Sequence, residues 1–318
     1  MSLTMLFNKD TVGEMMTAWP TKPVLHTPPD DSRVPSLVNA ELINTYLDTG
    51  TAPAEQLIVI KDGAALHSRA YTTEGYADPT KIAKWRGRGY TIQLRNLHRW
   101  CPAVHAICSA IQHETGYGSY ATGFVTPPGG QGLYHHWDQN MGFIYQLAGH
   151  KTWQLWEPGV EEPHNEQFAS NTSPGSGVID RMKSLHPDFE FDLGPGQILV
   201  LPRGWAHNPH ARGQTQESVH VTLVARELTG YWIAGKLAQA ALASTPLRRV
   251  IQPAGVVDPA AFAGQVAEAR DLLTQWLAGA DVNALAGELL KAARTEPNVD
   301  YISHAPRPRH MGGHQSAR

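Results

Sequence analysis

Only two cysteines, Cys101 and Cys108, occur in 318 residues, far too few for a disulfide framework. They are seven apart in a helix-like segment, so they share a face about two turns from each other, too far for a bond. A reduced, cytosolic protein is the expectation. No apolar run approaches the ~20 residues of a membrane span. The opening MSLTMLFNKD has no basic stretch leading into an apolar one, so no secretory signal is expected. Excess charge is missing as well. The net charge of −3 with neutral histidine offers no basic field for nucleic acid, and the local group Lys81, Lys84, Arg86 and Arg88 reads as a solvated face. No internal repeat is evident, which sets solenoids and propellers aside.

What remains is an ordinary globular composition, 42% apolar and 17% charged, in a chain long enough for one large domain or two modest ones. The first 60 residues mix short helical and extended signals. GEMMTAW and LVNAELINTYL read as helices, and KPVLH and QLIVIKDG as strands. YTIQLRNL alternates as a strand does, and CPAVHAICSAIQHETG is helical with Gly116 as its stop. From Ser119 the texture changes to short aromatic and β-branched runs (GSYATGFVT, GFIYQLAG, KTWQLWEP, QILVLPRG, SVHVTLVARE) set between Gly, Pro and Asp. Several such strands argue for a sandwich or barrel. Residues 161–190 read as a long surface loop. After Glu227 the chain becomes Ala/Leu-rich with helical period, so a C-terminal helical region is expected over 229–303, following a β-rich domain over 1–228. A disordered tail is expected over 304–318, with His310 and His314 as weak metal binders at most.

Within the β-rich part stands His136-Trp137-Asp138. On a strand, positions two apart share one face, so His136 and Asp138 can aim at one ion while Trp137 turns away. Downstream, LPRGWAHNP supplies His207, where an apolar strand ends in a Pro-Arg-Gly turn. Two histidines and a carboxylate on one face of an octahedron leave open positions, the donor set of non-haem iron(II) oxygenases. An H-x-D triplet alone is weak evidence, because chance supplies it often. His135 is expected on the opposite face, and His210 is an alternative third ligand. His220, in an alternating strand with Thr222, faces the cavity or is a satisfied core histidine.

Such an oxygenase needs a two-electron donor, commonly 2-oxoglutarate, whose distal carboxylate seeks a cation deep in the barrel. Lys151 opens a strand with apolar neighbours Trp153, Leu155 and Trp156. A lysine in that setting is costly unless paired, so an anionic ligand rationalises it. The alternative is a lysine that caps a β-turn in water. Thr126 and Thr222 are further candidates for the cosubstrate pocket. Trp137, Gln139, Asn140 and the His220 strand are candidates for its mouth.

Taken together, T-P-P-G-G-Q-G ahead of H-W-D, then YQLAGHKTW, LPRGWAH and SVHVTL, resemble the JmjC-type ribosomal oxygenases and related cupin-like hydroxylases, over roughly Trp19 to Glu227. The resemblance implies a double-stranded β-helix (jelly-roll, cupin-like) core, with flanking N-terminal helices and a C-terminal helical subdomain. It implies iron(II) held by His136, Asp138 and His207, and 2-oxoglutarate anchored by Lys151. It further implies hydroxylation of an amino-acid side chain in a protein or peptide, and a homodimer through the C-terminal helices. A hydroxylase of a small or carrier-bound metabolite and a non-catalytic cupin-type binding protein stand as alternatives. The chain departs from the family where an Asn and a Tyr commonly precede T-P-P, having Thr122 and Phe124, and where a serine often follows the H-x-T motif, having Val224.

Overall fold

The computed structural model describes residues 3–30, 32, 34–164 and 182–295. The expected tail lies outside them, as does most of the long loop. Contacts divide the chain into a unit through Arg226 and a second unit beginning at Glu227.

Among the described residues, the first unit is built on fourteen strands. The N-terminal part contributes β1 (Val24–His26), β2 (Leu57–Lys61), β3 (Ala64–Ala65), β4 (Thr72–Thr73), β5 (Tyr76–Ala77) and β6 (Thr91–Leu94). The site-bearing part contributes β7 (Gly118–Thr126), β8 (His136–Trp137), β9 (Met141–Ala148), β10 (Lys151–Trp156) and β11 (Phe189–Leu193). It closes with β12 (Ile198–Leu201), β13 (Ala206–His210) and β14 (Ser218–Arg226). An eight-stranded sheet runs β1-β12-β9-β14-β7-β6-β2-β3, and a four-stranded sheet runs β11-β10-β13-β8. This is the jelly-roll expected of the aromatic and β-branched runs.

Alternation assigns each sheet face a task. On the large sheet, Ala121 and Val125 (β7), Phe143 and Tyr145 (β9) and Val219, Val221 and Leu223 (β14) join one apolar cluster. That cluster also takes Leu3 and Phe7, Ile43 and Leu47 of the helix Ala40–Asp48, and Val104, Ile107 and Ile111 of the helix Pro102–Thr115. Each such side chain taken from water contributes about 1.5–3 kcal/mol. The intervening residues Thr122, Phe124, Ile144, His220 and Thr222 instead line a cavity. Polar groups that alternate with a fully apolar face, yet are themselves enclosed, mark this side of the sheet as the working one.

Local chemistry sets the element ends. Pro102 starts the helix Pro102–Thr115 and Gly116, at φ 73°, ends it in the left-handed conformation. Cys101 stands at the N-cap of the helix that carries Cys108, and both thiols are buried and in no disulfide. The helix expected across LVNAELINTYL is two, Val34–Leu37 and Ala40–Asp48, because the Asn39 side chain accepts the Leu42 amide and restarts the chain. A strand, β11, begins at Phe189, inside the stretch expected to be loop. Arg86, read as solvated, instead forms an ion pair with Glu217 at 2.6 Å.

The second unit is helical, with Gly230–Ala240, Ala254–Val257, Pro259–Gly279 and Val282–Thr295. Thr229 and Asp258 cap the first and third of these through their side chains. Among the described residues, no helix is long and apolar enough to cross a membrane.

Candidate metal centre

The two strands that carry the histidines pair directly, with His136 on β8 opposite His207 on β13. Their rings lie 4.1 Å apart. Asp138 stands just past the end of β8 rather than within the strand. Its carbonyl accepts the Gly204 amide at 2.9 Å, which ties it to the turn leading into His207. Gly204 adopts φ 82°, and a Cβ there would meet the Pro163 ring. His136, Asp138 and His207 each offer a ligand atom, all within 4.8 Å of one another.

Each histidine is oriented by its own backbone. His136 Nδ1 contacts the Tyr134 carbonyl at 2.6 Å, and His207 Nδ1 the Trp205 carbonyl at 3.0 Å. With Nδ1–H donating there, Nε2 of each ring is the free lone pair, the arrangement common to metal-bound imidazoles. Burial, then the neighbouring His136, pushes the His207 pKa down to about 4 against the pull of Asp138. His207 Nε2 lies 3.7 Å from Asp138 Oδ2, but a neutral imidazole makes this no ion pair. A neutral imidazole beside a carboxylate is a donor set for a cation.

The ligands open onto a cavity of ≈ 150 Å³ that also touches Lys151 and His220. Lys151 begins β10, four residues before Leu155, the partner of His207, so roughly 13 Å along the strand separates the two ends. Lys151 is 3% exposed, and burial pushes its pKa down to about 7. It donates to Thr126 Oγ1 at 2.9 Å, and that hydroxyl also accepts from Thr91. The Lys151 ammonium lies 5.8 Å from the centre of the Phe124 ring. Among the described residues no carboxylate pairs with it. A lone buried ammonium costs several kcal/mol, which an anionic ligand would offset.

Two side chains that the sequence reading passed over hold this geometry. Gln131, of the T-P-P-G-G-Q-G run, is buried and donates to Asn208 Oδ1 and to the Leu133 carbonyl, while Arg212 donates to it. It thereby joins the loop before His136 to the strand of His207. Gln146 donates to the carbonyls of Ala148 and Gly149 and to Ser218 Oγ, bracing the turn that delivers Lys151. Gly149 in that turn has φ 59°, and a Cβ would lie 2.1 Å from the Glu217 carbonyl oxygen. Their visible signal was a glutamine shortly before a glycine, Gln131 before Gly132 and Gln146 before Gly149.

Other expected residues fall as follows. Thr222, Thr122, Phe124 and Val224 line the cavity, whereas Thr126 reaches it through Lys151. His135 turns away and packs on Trp156 at 5.1 Å. His210 sits opposite Thr152 on β10 and is not in the ligand group. Trp137 is not at the pocket mouth; alternation buries it with Trp156, Met182 and Ala206. Asn140 hydrogen-bonds Tyr120, a cavity wall residue. His310 and His314 lie outside the described residues.

The jelly-roll core is a cupin-like fold, and it brings two histidines and an aspartate together in the wall of a cavity as a candidate metal site. Residues 93–231 match the model of the JmjC domain family. The chain is similar to the bifunctional lysine-specific demethylase and histidyl-hydroxylase NO66 of Brugia malayi, 31% identical over 156 residues, 49% of this chain and 21% of that protein. The Drosophila simulans protein of the same name is 29% identical over 158 residues, 50% of this chain and 18% of that one. The chain thus aligns with only about a fifth of the length of these curated relatives. The Escherichia coli ribosomal oxygenase YcfD, solved with cobalt and 2-oxoglutarate, superposes with a TM-score of 0.54 at 14% identity, covering 91% of this chain and 71% of that one. At that identity the superposition speaks for the fold.

Proposed function

We propose that this chain is an iron(II)- and 2-oxoglutarate-dependent oxygenase that hydroxylates an amino-acid side chain of a protein or peptide. One observation carries the reading: three ligand atoms within 4.8 Å share a cavity with a buried lysine that has no acidic partner among the described residues. His136 and His207, through Nε2, and the Asp138 carboxylate would hold the metal. Bound together, metal and cosubstrate supply the oxidising chemistry, in which dioxygen and 2-oxoglutarate become succinate, carbon dioxide and a hydroxyl group on the substrate carbon.

The chain's own share is binding and exclusion. Lys151, supported by Thr126, would fix the distal carboxylate and recover its full charge on doing so. Phe124, Ile144 and Trp153 present apolar surface to the space between the two ends. Tyr120, with Asn140 on its hydroxyl, and Thr122 and Val224 form the wall that a substrate side chain would meet. A protein substrate is supported by the relatives, whose names describe demethylation and hydroxylation of lysine and histidine residues. A small or carrier-bound metabolite is the second reading, favoured by Thr122, Phe124 and Val224 where the family commonly has Asn, Tyr and Ser.

Incubation with iron(II), 2-oxoglutarate and candidate peptides should give succinate, with one oxygen added to a peptide by mass spectrometry. Succinate formation driven only by small molecules would favour the metabolite reading. Neither metal binding nor turnover would leave a cupin-type binding protein. A cytosolic setting fits two buried thiols that form no disulfide. A homodimer through the second unit is supported by the exposure of Val250, Val257 and Val282, and sedimentation as a single-chain species at all concentrations would refute it.

A further inference from the structure

His220 is 1% exposed and lines the cavity. Its ring stacks on Phe124 at 4.7 Å and 15°, and meets the Trp153 ring edge-on at 5.6 Å. For packing alone an apolar ring would serve this slot better, because the Nδ1 of His220 is buried without a hydrogen-bond partner and such a group carries its full desolvation cost. The strand also spends irregularity on it. The pairing of β14 with β9 shifts register between Val219 and His220, and a bulge of this kind re-aims the side chain that follows.

The surroundings are rich in donors and poor in acceptors. Lys151 is close enough to act electrostatically on His220, and the Trp153 indole nitrogen, also in this wall, lacks a partner too. Thr126 Oγ1 is the acceptor for Lys151, and that oxygen already receives Thr91. A ligand that satisfies this end must bring acceptor oxygens, more than one of them, on a planar head that fits beside stacked rings.

We propose that His220 is a second anchor for the distal carboxylate of the cosubstrate, its ring N–H donating to one carboxylate oxygen while Lys151 donates to the other. The inference rests on the 2-oxoglutarate reading of Lys151 and adds a specificity determinant to it. Two donors in fixed positions select a dicarboxylic 2-oxo acid over a monocarboxylic one of equal length. Burial holds the imidazole neutral, so it serves as a directional donor and Lys151 supplies the charge.

Calorimetric titration of the manganese(II)-loaded protein with 2-oxoglutarate and with 2-oxopentanoate tests this without turnover. The second acid has the same chelating end and chain length but no distal carboxylate. His220→Phe should weaken 2-oxoglutarate roughly tenfold, as for a lost hydrogen bond to a charged group, and leave 2-oxopentanoate and manganese binding unchanged. His220→Gln, which restores an N–H, should recover most of the loss, and it carries the test if the Phe variant does not fold. Unchanged 2-oxoglutarate affinity in His220→Phe, or equal losses for both acids, would overturn the anchor and leave a packing residue. If the unaltered protein binds manganese but neither acid, the cosubstrate reading itself fails first.

Discussion

The two ends of the cavity are built on opposite terms. At the metal end, charge is supplied by a carboxylate whose side chain is 59% exposed, and the two histidines are poised by backbone carbonyls. At the lysine end, a single ammonium is enclosed by Phe124, Trp153 and His220, with a threonine hydroxyl as its partner. The first end suits a cation and lies open to water. The second is buried and suits an anion. An elongated ligand, anionic at both tips, suits that pair of terms.

Separate damage to each end should therefore have separate consequences. Asp138→Ala or His207→Ala should weaken metal binding by more than about 100-fold, since loss of even outer partners of metal ligands costs 10–100-fold. Metal content by mass spectrometry and succinate yield would both register it. Lys151→Ala should leave metal content intact while 2-oxoglutarate affinity drops by roughly 3 kcal/mol, about 100-fold, the cost of truncating one partner of a buried charge pair. Equal loss of metal in this variant would erase the distinction between the ends.

Gln146→Ala sharpens the contrast by acting on only one end's support. It should cost about 1–3 kcal/mol in chemical denaturation, for it strands buried acceptors, and weaken 2-oxoglutarate more than metal. The smallest effect concerns pH. A Lys151 with its pKa near 7 is increasingly neutral above that value, so binding an anion then requires proton uptake. Affinity for 2-oxoglutarate should fall by up to about tenfold per pH unit above pH 7. Apoprotein stability should move the other way, rising between about 7 and 10.5 as the buried group sheds a proton that the unfolded chain keeps. Flat affinity from pH 6 to 9 would mean that Lys151 is not the anchor.

The sequence displayed the ends of this cavity better than its supports. Period-two alternation anticipated His136 and Asp138 on one side, although Asp138 lies just past β8, and of the two readings of Lys151, buried cation or water-facing turn, burial is the outcome. The same rule turned Trp137 to the far side, and its other reading, at the pocket mouth, conflicted with that rule. Gln131 and Gln146 were quoted in motifs but given no task, because a hydrogen bond across 77 residues, as from Gln131 to Asn208, leaves no periodic trace. Strand β11 was hidden for a different reason: FEFDL is short and half exposed, and it follows a Pro/Ser/Gly-rich stretch.

The Trp205 indole, two residues before His207, donates to the carbonyl of Thr21 at 3.0 Å across 184 residues. Just beyond Thr21, β1 docks on β12, the strand before the His207 turn. Closure over so long a span predicts that the site matures late in folding, since contacts of high sequence separation form slowly. During synthesis the N-terminal strand emerges long before its partner and waits for it. The distal ligand gains its position only once both have met. On the proposed ligand set, a half-made chain would carry His136 and Asp138 without the third donor and would gather metal weakly until the fold around it is finished.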